Sequence, residues 1–224
     1  MLGLDLHSIS SWLFHLFWCS VELREYWEEI ISVETYRKNV TVIFLVVILG
    51  FTLRVYHLGR ESLWLDEGAA VRTAQLSPGE MINDIRGNYH PPLYFCILHG
   101  WIAITSNSGF SVRLLSALLG TFSIFIIYMV GRLLFDRPTG IIAASLLSLS
   151  RFNIFYSQEA RMYSLLTLLT LLSMYYFIRL QRRNSRLDKV GYILFSLCLM
   201  YTHNIGLFII VTQNHCCPIV GLKK

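Results

Sequence analysis

The run Leu114-Leu115-Ser116-Ala117-Leu118-Leu119-Gly120-Thr121-Phe122-Ser123-Ile124-Phe125-Ile126-Ile127-Tyr128-Met129-Val130-Gly131 contains no charged side chain. A helix that crosses the hydrocarbon of a bilayer needs roughly 20 mostly apolar residues, and Lys or Arg at its ends can reach back to the interface. Further charge-free stretches cover residues 39–53, 162–178 and 190–220. The 224-residue chain is 54% hydrophobic and 15% charged, with a mean hydropathy of +0.53. A soluble domain carries about 25% charged residues. The pattern predicts an all-α, polytopic transmembrane helical bundle. Spans are expected at 39–54, 111–135, 138–156, 162–180 and 190–212, with 91–105 as an interfacial helix entered through Pro91-Pro92.

The net charge of +5 is concentrated rather than spread. Arg179, Arg182, Arg183, Arg186 and Lys189 fall together between two apolar stretches, the mark of a cytoplasmic loop under the positive-inside rule. That distribution argues against a nucleic-acid partner. If 91–105 does not cross, parity puts this loop inside, together with Arg132 and Arg137, and puts Asp66 and Glu159 on one outer face. Five crossings plus one interfacial helix satisfy the charge rule.

Cys19, Cys96, Cys198, Cys216 and Cys217 show no CxxC spacing and support neither a disulfide framework nor a zinc site. Residues 1–38 read as a cytoplasmic or interfacial extension. The apolar stretch 12–18 has no basic residue before it and no small-residue cleavage site after it, unlike a signal peptide. The transmembrane domain then runs over 39–213, and 214–224 reads as an unrelated tail.

Polar islands interrupt this apolar background. Leu63-Trp64-Leu65-Asp66-Glu67 places paired carboxylates beside an interfacial aromatic anchor. Such a pair can ligate a hard divalent cation, one member can act as a general base, or the two can be an ordinary solvated acidic loop. His90, held extended by Pro91-Pro92, can complete a metal site, contact a phosphate or simply hydrogen-bond. Glu159 and Arg161, flanked by Tyr156 and Tyr163, are either a surface ion pair or a phosphate-contacting fork at the membrane boundary. His99 and the cluster Tyr201-Thr202-His203-Asn204 lie within apolar segments, where polar residues commonly bridge helices. Ser77-Pro78-Gly79-Glu80 is spaced as the start of a short helix in the loop between.

The motifs Leu-Trp-Leu-Asp-Glu at 63–67, His-Pro-Pro-Leu-Tyr at 90–94, Val-Arg-Leu-Leu-Ser-Ala-Leu-Leu-Gly at 112–120, Tyr-Ser-Gln-Glu-Ala-Arg-Met-Tyr-Ser-Leu at 156–165 and Tyr-Thr-His at 201–203 stand in order. Together they resemble the integral-membrane glycosyltransferases of the GT-C class, in the branch of protein O-mannosyltransferases and the lipid A aminoarabinose transferase. The resemblance runs over about 37–213 and corresponds to the N-terminal part of a longer family architecture. It implies inverting transfer of a sugar from a polyprenyl-phosphate carrier to a glycan, lipid or protein acceptor, on the outer face of the cell membrane. By similarity Asp66 is the catalytic carboxylate, with Glu67 assisting. His90, Glu159, Arg161 and Tyr163 contact substrate, and Asp66, Glu67 and His90 form the ligand set of a divalent cation where one is used. The competing expectation is a catalytically inactive fragment or scaffold subunit that keeps the fold. A transporter is disfavoured, because no inverted repeat is visible and the charges sit at surfaces rather than at mid-membrane.

Overall fold

The computed structural model describes residues 37–87, 91–183 and 185–215. By internal contacts the chain divides into residues 1–42 and 43–224. The first unit contributes only the opening turn of one helix to the described residues, and the bundle is built by the second. The expected extension 1–38 thus lies almost wholly outside the described residues, as does most of the 214–224 tail.

Every regular element among the described residues is a helix. They are α1 (Arg37–Val55), α2 (Leu65–Gln75), α3 (Pro78–Gly87), α4 (Leu93–Ile104), α5 (Gly109–Leu134), α6 (Arg137–Leu149), α7 (Arg151–Ser157), α8 (Tyr163–Arg183), α9 (Arg186–Met200) and α10 (Ile205–His215). Three of them, α1, α5 and α8, are long and apolar enough to cross a membrane. The molecule is a helical membrane bundle, as the charge-free runs predict.

α5 is its centre. Half of its most apolar window is buried, against a third for α8, and it packs on both α6 and α8. The α5–α6 contact is backbone against backbone: a Cβ on Gly131 would lie 2.8 Å from the Gly140 Cα. Small residues at such crossings supply the van der Waals contact that holds helices together in lipid, where no hydrophobic force acts between them.

Two expected spans are built differently. The stretch 138–156 is interrupted at Ser150, which ends α6 and whose hydroxyl accepts from the Asn153 N–H to cap α7. The break leaves carbonyls of the last α6 turn without intrahelical partners. Arg54, fully buried at the end of α1, donates to the carbonyls of Leu147 (3.2 Å) and Ser148 (3.4 Å) and to the Asn153 side chain. The stretch 190–212 is likewise a hairpin, not one span. Thr202, His203 and Asn204 interrupt it, and α10 folds back on α9. Gly206 lies against the Leu199 carbonyl, and the Asn214 amide donates to the Tyr192 hydroxyl at 3.3 Å. The Tyr201 carbonyl, freed at this turn, accepts from the Leu93 N–H at 3.0 Å and ties α4 to it.

The 21 residues of α8 rise by about 30 Å, the thickness of the hydrocarbon core. Its first turn adjoins Arg161 and its last carries Arg182 and Arg183. The Arg182 guanidinium donates to the Leu134 carbonyl at the end of α5, so both long helices finish at the same basic end.

Candidate functional site

The opposite end of the bundle gathers the polar islands. The loop after α1 turns into α2 at Trp64, which is extended and serves as N-cap. Glu67 falls in the first turn of α2, and its Oε2 accepts from the Trp64 N–H at 3.2 Å, the backward bond of a capping box. The same carboxylate takes a two-pronged bond from Arg113 of α5, Nε to Oε1 at 2.9 Å and Nη2 to Oε2 at 2.6 Å. The Ala160 N–H completes the set at 2.8 Å from Oε1. Glu67 is 1% exposed. Arg113 also donates to the carbonyls of Leu58 (3.1 Å), Glu61 (2.8 Å) and Ser62 (3.0 Å), which occupies all five of its N–H groups.

This node joins three segments distant in sequence: the loop after α1, the start of α5 and the 158–162 turn before α8. Gln158 adds a second fastening. Its amide donates to the carbonyls of Leu53, Arg54 and Tyr56, at 3.0–3.3 Å, and so closes the C-terminus of α1.

Burial alone would raise the Glu67 pKa. Its bonds from Arg113, Ala160 and Trp64 outweigh that and hold it below the ordinary 4.5. Glu159 moves the other way. Burial first, then the neighbouring charges of Glu67 and Asp66, raise its carboxyl above the ordinary value, against the opposing pull of Arg161.

Asp66 is the open member of the pair. Its carboxylate is 73% exposed and lies 3.5 Å from the Arg161 guanidinium, which also reaches the Asp66 carbonyl at 3.4 Å. Arg161 lies 5.9 Å from the Tyr163 ring centroid, and that ring packs edge-on against Tyr156 at 4.6 Å. At the Glu67–Arg113 node a cavity of about 280 Å³ is lined by residues that include Arg113, Tyr56, His57, Arg60, Trp64 and Glu159; Asp66 and Arg161 are not among them. His57 adopts a left-handed φ of 60° and stacks on Tyr56 at 4.0 Å. Strained backbone of this kind persists only where the surroundings enforce it.

Asp66, Glu67, Glu159, Arg161 and Tyr163 therefore meet at one end of the bundle. His90 lies outside the described residues. Sequence reasoning gave no role to Arg113, Gln158, Tyr56 or His57. For Arg113 a signal existed: it abuts the charge-free run 114–131 and its charge needs a partner. His99, read as a packed polar residue, bonds the Ala74 carbonyl through Nδ1 at 2.7 Å. Cys96 and Cys198 are free thiols.

Of the three donors expected for a divalent cation, His90 lies outside the described residues. Among the described residues no three His, Cys, Asp or Glu side chains cluster. The four bonds to Glu67, two of them from a cation, occupy its acceptor positions.

The fold and the comparison with known families define a membrane-embedded glycosyltransferase of the GT-C type. The chain belongs to the dolichyl-phosphate-mannose-protein mannosyltransferase family, whose model matches residues 89–212, more than half of its length. The match takes in Glu159, Arg161 and Tyr163 and begins after Asp66 and Glu67. Comparison with curated proteins and with solved structures finds no match.

Proposed function

We propose that this chain transfers a sugar from a polyprenyl-phosphate carrier to a hydroxyl acceptor, with Asp66 as general base and the reaction at the outer face of the membrane. The observation that carries the reading is the division of labour at 66–67. One carboxylate is buried and consumed by structure, while its neighbour is exposed on the same helical turn, 3.5 Å from an arginine.

In this reading Asp66 takes the proton of the acceptor hydroxyl as its oxygen attacks the anomeric carbon. The bond from that carbon to the phosphate oxygen breaks with its electron pair, and the carrier leaves as the polyprenyl phosphate. Attack from the face opposite the leaving group inverts the anomeric configuration. Arg161 is suited to the departing phosphate, since a guanidinium fork matches phosphate geometry and acts as charge develops. Glu67 is a positioning residue: it fixes α2, and hence Asp66, relative to α5 and the 158–162 turn. Glu159, its carboxyl raised in pKa, lines the cavity, and the Tyr163 ring lies against Arg161.

The outer-face assignment rests on charge. Arg132, Arg137, Arg179, Arg182, Arg183, Arg186 and Lys189 belong to the turns at the other end of α5 and α8, which the positive-inside rule places in the cytoplasm.

A panel of polyprenyl-phosphate sugars offered to membranes containing the chain tests the reaction. Release of polyprenyl phosphate with one donor supports the reading and names the sugar; no release from well-inserted protein contradicts it. Cysteines placed at Asp84 and Arg183 test the sidedness. Labelling of both from outside would overturn it.

A further inference from the structure

At the end of the bundle remote from Asp66, the last turn of α8 and the first half of α9 flank an open recess of about 650 Å³. Arg182, Arg183 and Lys189 line it together with Gln181, Tyr192 and Ile193, and no carboxylate does. The nearest acid in the chain, Asp188, is fully buried and turned to Arg179, 2.7 Å away. Among the described residues Arg182, Arg183 and Lys189 form no ion pair. Three cations thus converge on one concavity with the local acid already consumed.

The recess continues into an apolar stripe. Leu187, Val190, Ile193, Leu194 and Leu197 recur at helical spacing on α9 and are each at least half exposed. Ile193 belongs to both the stripe and the wall of the recess. Gly191 lets α9 sit directly on the Tyr176 ring, where any Cβ would collide. A ligand matching both parts carries an anionic head at the level of the basic turn and an acyl chain running along α9.

We propose that this recess binds the phosphate of an acidic glycerophospholipid in the leaflet opposite the Asp66 cluster. The length of α8 separates the two sites by about 30 Å, so the recess is not part of the sugar-transfer site. The proposal needs the membrane location of the bundle and holds whether or not the chain transfers sugar. Arginine forks suit phosphate oxygens, and basic residues at a membrane surface each raise affinity for acidic lipid roughly fivefold.

Native mass spectrometry of the purified full chain, titrated with phosphatidylglycerol or phosphatidylcholine, tests this. Phosphatidylglycerol should bind at least tenfold more tightly than phosphatidylcholine, with a preference that shrinks as salt rises. Arg182→Gln/Arg183→Gln/Lys189→Gln should abolish the preference, whereas Arg182→Lys/Arg183→Lys should retain most of it. Inorganic phosphate at millimolar concentration should not displace the lipid. Equal binding of the two lipids by the unaltered chain would overturn the proposal, as would a preference that survives the triple change. Displacement by inorganic phosphate would show a free-anion site instead. Should the triple variant fail to fold, Arg183→Gln and the salt dependence of the unaltered chain decide the question by the same criteria.

Discussion

Two ion pairs fasten the start of α2 to the rest of the bundle, and they are built on opposite principles. Arg113–Glu67 is buried on both sides and every polar atom in it is used. Arg161–Asp66 is open, longer, and leaves the carboxylate largely in solvent. Adjacent residues in the chain have therefore been given different work. A buried pair resists change because removing one partner strands a charge in a low-dielectric site. An exposed pair costs little to open, which is what a group that must accept a proton and meet a substrate requires.

The largest effect should follow from stranding Arg113. Glu67→Ala is expected to cost about 3–5 kcal/mol, read as a lowered unfolding midpoint in detergent. An unchanged midpoint would break the comparison. Arg113→Lys keeps the charge but loses the fork and most of the carbonyl bonds, and should cost about 1–3 kcal/mol in the same measurement. Arg161→Ala should cost at most about 1 kcal/mol, because its partner is mostly exposed. A larger loss would mean that the outer pair is structural too.

The acid dependence sharpens the contrast. Glu67 has a folded pKa below 4.5, so its contribution is present at neutral pH and is lost as pH falls through that folded value. Glu159 has a folded pKa above 4.5, so its contribution is full below 4.5 and is lost as pH rises through the folded value. From neutral pH down to 4.5 the unaltered chain should gain stability relative to Glu159→Gln. Melting curves of the two that stay parallel over this window would contradict the environment assigned to Glu159.

Much of this was legible in the chain itself. The charge-free runs mark the membrane helices, and the basic cluster at 179–189 marks one end of the bundle. Asp66, Glu67, Glu159 and Arg161 were recognisable as one polar set. What was not legible is pairing at a distance. Glu67 meets Arg113 and Ala160 across separations of 46 and 93 residues, and a lone sequence carries no signal of such contacts. The roles of the two carboxylates divide only because α2 begins at Trp64, which turns residue 67 inward and leaves 66 outside. The helix breaks were half visible. Thr202-His203-Asn204 and Ser150-Arg151 are polar interruptions in apolar stretches, but continuous hydropathy outweighed them, and the rescue of the α6 carbonyls by Arg54 depends on tertiary contact.

The central claim, that Asp66 does the chemistry while Glu67 holds the frame, is tested most directly by one paired measurement. Sugar release from the polyprenyl-phosphate donor would be compared in Asp66→Asn and the unaltered chain at matched amounts of folded protein, with melting recorded for both. The account predicts a rate at least about 100-fold lower in Asp66→Asn with melting unchanged. A rate that persists in Asp66→Asn, or falls only in proportion to lost folded protein, would contradict it.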